Sequence, residues 1–235
     1  MTTALEERIE RLAAAPADSG KKWGDALPVI EELLAALERG TVRAAERSSE
    51  GRWEAVAWVK RGILAGFRYG VLEDQSPRDV SGHHVPPFTF IEKSTYPARG
   101  FAVSDGVRIV PGGTSVRRGA HLAPGVVLMA PVFVNVGAHI DRDAMIDSHA
   151  LVGSCAQIGT RVHVSAGAQI GGVLEPVNAS PVIVEDDVLV GGNCGVYEGT
   201  VVRERAVLAA GVILTRGTPV FDLVRRETDR HRSAP

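Results

Sequence analysis

From Val110 onward every sixth residue of this 235-residue chain is aliphatic, and no helix or ordinary strand has that period. The run is Val110, Val116, Leu122, Leu128, Val134, Ile140, Ile146, Val152, Ile158, Val164 and Ile170. If roughly a third of positions were aliphatic by chance, such a run would arise about once in 10⁵, so the repeat is real. It resumes at Val184, Val190, Val196, Val202, Leu208, Leu214 and Val220. Two residues before most of these stands a small one, among them Thr114, Ala120, Ala138, Ala144, Ala150, Ala156, Ala168, Cys194 and Ala206. A large apolar residue every sixth place with a small one beside the corner predicts a solenoid. Each hexad forms one short strand, and strands stack as parallel ladders round a thin apolar axis. Gly171 to Val184 does not fit the count by two residues, which predicts a loop thrown out around Glu175 to Pro181.

Composition agrees. Glycines number 26 and aromatics are only 5%, which suits many tight corners. A formal charge of -2 gives no global electrostatic reason to bind nucleic acid. The two cysteines, Cys155 and Cys194, make no disulfide framework, and both are placed in the small position of a hexad, as core. No window reaches the roughly 18 apolar residues of a membrane span, and the amphipathic start MTTALEERIERLAAAPA has no apolar leader region, so the expected location is cytoplasmic.

Before the repeat the pattern is different. Leu5, Ile9 and Leu12 predict one helix, and Ile30, Leu33, Leu34 and Leu37 a second that closes on Gly40. TVRAAE and EAVAWV read as two short strands turning at Ser49–Gly51, and Trp58 to Tyr69 as a third helix. QSPRDVSGHHVPPF is a loop, its pair His83–His84 solvated rather than metal-binding. The expected division is an N-terminal α/β domain with linker over residues 1–100, a β-helix over 101–224 and a polar tail over 225–235, TDRHRSAP being disordered. The acidic run Glu185–Asp187 reads as a solvated strand face.

The units V152-G-S-C-A-Q, I158-G-T-R-V-H and V190-G-G-N-C-G resemble the hexapeptide-repeat acyltransferases. That resemblance implies a mainly β protein, a left-handed parallel β-helix with three hexads per coil and about six coils. WVKRGILAGFR, GVRIVPGG, VLMAPVFVNVGAHID, VGSCAQIG and IGGVLEPVNASPVIVEDD are similar, in order, to one family among them, the tetrahydrodipicolinate N-succinyltransferases. The resemblance implies transfer of succinyl from succinyl-CoA, a cosubstrate rather than a resident cofactor, to an amine in diaminopimelate and lysine biosynthesis. It also implies a homotrimer with sites between subunits and no metal.

By the same resemblance Arg108 binds a substrate carboxylate, a task its bidentate fork suits. Asp147 holds the substrate amine and helps take its proton, and Ser165, Ala166 and Gly167 lie beside the pantetheine arm of CoA. The chain departs from the pattern in three places. Gly195 stands where the family has a glutamate, His149 where it has a tryptophan, and the C-terminal coil and closing segment are short. Asp147 and His149, two apart, would leave one strand face, so His149 is a candidate general base compensating for Gly195, or a surface histidine. Arg117, Arg118, Arg203, Arg205, Arg216, Arg225 and Arg226 are open between CoA phosphates and plain surface charge. His121, His139 and His163 lack the H-x4-H pair of a zinc carbonic anhydrase. A relative turned to another amino-acid acceptor or acyl donor, and a silent trimeric scaffold, remain as alternatives.

Overall fold

The computed structural model describes residues 2–16, 23–83, 85 and 89–229. Helices α1 (Thr2–Ala14), α2 (Trp23–Glu38) and α3 (Ala57–Tyr69) carry the expected apolar stripes, with Leu5, Ile9, Leu12, Ile30, Leu33, Leu34 and Leu37 all buried. They meet where side chains vanish: a Cβ on Gly62 of α3 would stand 2.4 Å from Leu33 Cδ2. Strands β1 (Ala45–Arg47) and β2 (Trp53–Ala55) form the expected antiparallel hairpin. A second pair, β3 (Leu72–Asp74) with β4 (Ile91–Lys93), brackets the proline-rich loop. At three residues each, these strands are too short to print an alternation in sequence. His84 lies outside the described residues.

The remainder is the expected left-handed parallel β-helix. Its strands, β5 (Arg108–Ile109) through β21 (Ile213–Leu214), form three ladders of six, six and five. The first face carries Arg108, Val127, Met145, His163, Leu189 and Val207 outward. The second carries Ser115, Phe133, Leu151, Gln169, Gly195 and Ile213; the third carries His121, His139, Gln157, Ile183 and Val201. The hexad aliphatics fill the axis between them, Leu128, Val134, Ile140, Ile146, Val152, Ile158, Val164 and Ile170 being wholly shielded. Full burial of each such side chain contributes about 1.5–3 kcal/mol.

Two ends of the numerical repeat leave the helix. Arg108 pairs with Val127 and Ile109 with Leu128, so Ile109, not Val110, fills the axis, and one extra residue precedes Val116. Val220 lies in an antiparallel hairpin, β22 (Val220–Asp222) with β23 (Glu227–Asp229), and is exposed. Thr228 and Asp229, expected in a disordered tail, are thus in a strand; residues 230–235 lie outside the described residues.

The hexad also explains its own corners. Three residues after most axis aliphatics the backbone turns left-handed, at Asp143, His149, Cys155, Arg161, Asp187, Asn193 and Arg205 among the non-glycines. Cys155 is one of these, so it is not in the small position, which Ala156 holds. Its thiol faces away from the axis into the second core, with Ile63 of α3 and Val136. Burial pushes that thiol up to about 12, against the pull of Lys60, which leaves it protonated and inert near neutral pH. Cys194 does sit in the axis core, its Sγ 3.0 Å from the Ala209 carbonyl.

The N-terminal domain grips the third face and its corners. Arg118 reaches Glu31 and Glu38 at 2.7 and 3.0 Å, and Lys60, fully buried, donates to the Ala179 carbonyl at 2.5 Å, pinning the loop between Ile170 and Ile183 to α3. Glu185, expected on a solvated face, is instead buried. Its carboxylate accepts from Arg47, Trp53, Arg203 and the Glu204 N–H, tying β1–β2 to the coil. The sequence pattern could not show this because the partners are 132 and 138 residues away.

On the third face His121 and His139 stack at 4.3 Å, and His139 Nδ1 is buried without a hydrogen-bond partner. Burial, then Arg43 and His121, hold His139 down to about 2 from 6.5. A lowered folded value means the unfolded chain binds the extra proton. The stability from His139 is therefore complete above pH 6.5 and is lost as pH falls toward the folded value. In denaturant titrations the unfolding free energy should decline between pH 6.5 and about pH 4, and His139→Phe should flatten that slope.

Candidate active site

Asp147 begins the corner that joins the first face to the second, immediately after Ile146 enters the axis. One coil on, the same corner is Ser165–Ala166–Gly167; the next is Gly191–Gly192–Asn193, and the next Ala209–Ala210–Gly211. Backbone hydrogen bonds lock this stack. Asp147 N donates to Val164 O at 2.8 Å, Gly167 N to Ser148 O, Asn193 N to Ala166 O and Gly211 N to Gly192 O, each at 2.9 Å. The column rises about 4.8 Å per coil. Only one of its nine residues above Asp147, Asn193, exceeds a serine in size. The result is a column of small side chains with Asp147 at its foot.

Asp147 Oδ1 accepts from Ser148 N at 2.8 Å, which fixes the carboxylate. Its Oδ2 lies 3.9 Å from Nε2 of His163, on the next strand of the first face. That nitrogen is shielded and makes no hydrogen bond, so the imidazole sits beside the carboxylate with its Nε2 uncommitted. Sequence reasoning weighed His163 only as a zinc ligand. The signal was available: with 18 residues per coil, His163 pairs with Met145, two before Asp147.

His149 is placed differently from the expectation. It occupies the left-handed corner at φ 62, where histidine is one of the tolerated residues, so strand alternation does not govern it. Its backbone N donates to Pro131 O at 2.6 Å, and among the described residues its side chain has no partner. Arg108 lies on the first face two rungs below Met145, about 10 Å along the ladder. It is exposed, and its guanidinium has no partner among the described residues. Met145 and Leu189, flanking His163 on that face, are 36% and 38% exposed and give the site an apolar wall.

Gly195 lies buried on the second face beneath Tyr197. A Cβ there would stand 2.5 Å from Tyr197 Cε2 and 2.9 Å from Ile213 Cδ1, so the tyrosine ring fills the volume of any side chain at 195. The same ring covers Gly171, at 2.9 Å from its added Cβ. Most of the candidate phosphate-binding arginines are already engaged. Arg117 binds Glu92 and Asn135, Arg118 binds Glu31 and Glu38, Arg203 binds Glu185, Arg205 binds Glu204 and Arg225 binds Asp222. Arg216 and Arg226 have no such partner among the described residues.

Residues 4–69 match the family model for the tetrahydrodipicolinate N-succinyltransferase N-terminal region, and residues 181–216 that for the hexapeptide repeat of succinyl-transferase. The 2,3,4,5-tetrahydropyridine-2,6-dicarboxylate N-succinyltransferase of Bradyrhizobium diazoefficiens is 43% identical over 203 residues, 85% of this chain and 69% of that protein. Proteins of the same name from Paramagnetospirillum magneticum and Burkholderia ambifaria are each 42% identical over 232 residues, 96% of this chain and 78% and 77% of theirs. Identity of this extent, over both the helical domain and the β-helix, places the chain in the tetrahydrodipicolinate N-succinyltransferase family.

Proposed function

We propose that this chain is a CoA-dependent N-acyltransferase that carries succinyl from succinyl-CoA to the amine of ring-opened tetrahydrodipicolinate, in diaminopimelate and lysine biosynthesis. The observation that carries this reading is the Asp147–His163 pair at the foot of a column of glycine, alanine and serine corners. Such a column lets the thin pantetheine arm lie against it, with Ser165, Ala166 and Gly167 beside it, and brings its thioester toward the carboxylate. Arg108, unpaired two rungs away, takes a carboxylate of the acceptor in its fork.

The chemistry follows from what an amine needs. Only its neutral form attacks, so Asp147 accepts a hydrogen bond from the nitrogen and orients its lone pair toward the thioester carbon. The C–N bond forms as the C–S bond breaks; the proton leaves the nitrogen through Asp147 and His163 and ends on the departing CoA sulfur. His163 Nε2, lacking any other partner, is free to share that proton with Asp147. The apolar wall of Met145 and Leu189, with Val207 beyond, is closed by a second subunit in a homotrimer, which completes the site and shields the thioester from water. A cytoplasmic location, where acyl-CoA is made and used, fits this role.

A second reading has its own observation. Tyr197 over Gly195 puts a phenyl ring, not a carboxylate, on the second face, so a relative tuned to another acceptor would be built this way. One thiol-release assay separates the readings. Release with succinyl-CoA and tetrahydrodipicolinate, and not with acetyl-CoA or with other amino acids, is the expected result. Release only with a different pair would establish the second reading, and none with any pair would overturn both in favour of a scaffold.

A further inference from the structure

We propose that the cleft between the β1–β2 hairpin and the third face is a binding site for a free α-amino acid with a cationic side chain. The cleft has a volume of about 520 Å³ and shares no residue with the column of small corners above Asp147. That size is within the range of small-molecule sites, roughly 300–1,000 Å³. It is built from both domains, with Arg43, Glu46 and Trp53 on one side and Asp141, Gln157 and Asp186 on the other.

Arg43 is the organising group. Its Nε donates to Gln157 Oε1 at 2.9 Å, and the Gln157 amide is itself fixed by donating to the Cys155 carbonyl at 2.8 Å. Among the described residues the two terminal nitrogens of Arg43 make no hydrogen bond, although the side chain is half-buried beside Trp53, 5.6 Å from the ring centre. A guanidinium held by one edge and open at the other is prepared for a carboxylate.

The remaining charge of the cleft is negative. Arg47 and Arg203 share the single carboxylate of Glu185, and Arg205 pairs with Glu204. Around Arg43 three carboxylates remain without a salt-bridge partner among the described residues, those of Glu46, Asp141 and Asp186. Asp141 and Asp186 each use Oδ1 on a backbone N–H, of Arg142 and Thr160, and leave Oδ2 open. A simple anion would meet this acidic rim, and a simple diamine would leave Arg43 unpaired. A molecule with one carboxylate and two ammonium groups satisfies both sides. By bridging the hairpin to the coil it would tighten the domain junction.

Isothermal calorimetry on the full chain tests this with L-lysine, L-ornithine and L-arginine, against cadaverine, L-leucine, L-glutamate and inorganic phosphate. The expected result is saturable binding of a basic amino acid and much weaker binding of every comparator. Arg43→Met and Asp186→Asn should each weaken it roughly tenfold or more. Asp147→Asn should leave it unchanged, which separates this cleft from the proposed acyl-transfer site. Should Arg43→Met fail to fold, Asp186→Asn alone carries the comparison, since an asparagine Oδ1 can still accept from Thr160. Cadaverine binding as well as lysine, an unchanged affinity in Asp186→Asn, or no binding of any basic amino acid would each overturn the proposal.

Discussion

Asp147→Asn should lower kcat/KM for acyl transfer by roughly 10²–10⁴-fold, the range for loss of a positioned acid–base group. The thermal midpoint should barely move. The side chain is a third exposed, and an asparagine oxygen can still accept from Ser148 N, so the corner keeps its hydrogen bond. What the amide cannot do is take a proton. His163→Asn should cost less, because the carboxylate remains. His149→Gly is the discriminating control. Glycine relieves the left-handed corner at φ 62 and removes the imidazole together. Near wild-type turnover in that variant assigns the imidazole duty to His163. Loss of turnover there, with His163→Asn active, returns it to His149.

This comparison also marks where sequence reasoning stopped. The axis of the β-helix was legible because one side chain per hexad must be apolar, whatever its neighbours. The helices of the N-terminal domain were legible for the same reason, with Ile9, Leu33 and Ile30 at helical spacing and wholly buried. Asp147 came through the family resemblance, and the corner of Ser165, Ala166 and Gly167 lies directly above it. The misplaced details share a cause. Corner residues obey the left-handed turn rather than strand alternation, so His149 and Cys155 were assigned to faces they do not occupy. Contacts between coils follow an 18-residue register, so His163 beside Asp147 is invisible to any local window. Contacts between the domains follow no register at all. Glu185 therefore read as surface, although Trp53 and Arg47 of the hairpin converge on it.

Gly153→Ala should destabilise the chain by about 3 kcal/mol, the upper end for overpacking, and Gly153→Val by more. A Cβ on Gly153 would stand 2.2 Å from Gly172 N, 2.6 Å from its Cα and 2.7 Å from Gly171 C. These are backbone atoms, and no rotamer change relieves them. Gly172 is equally restricted, its own added Cβ falling 2.6 Å from Ser154 N. The two glycines let the loop after Ile170 lie flat on the coil below. Pushing that loop away also withdraws the Ala179 carbonyl from Lys60, leaving a buried ammonium without its acceptor. Gly24→Ala is the matched control, since an added Cβ there meets nothing within 4 Å and alanine favours the helix. Urea titration should show the Gly153→Ala midpoint falling well below both wild type and Gly24→Ala. A Gly153→Ala midpoint equivalent to less than about 0.5 kcal/mol of change, ordinary for a surface site, would show that the loop does not bear on Gly153. The glycine of V-G-S is thus required by backbone packing, not by chemistry. Gly153→Ala should accordingly lose activity in step with its folded fraction, keeping KM, whereas Asp147→Asn loses turnover while fully folded.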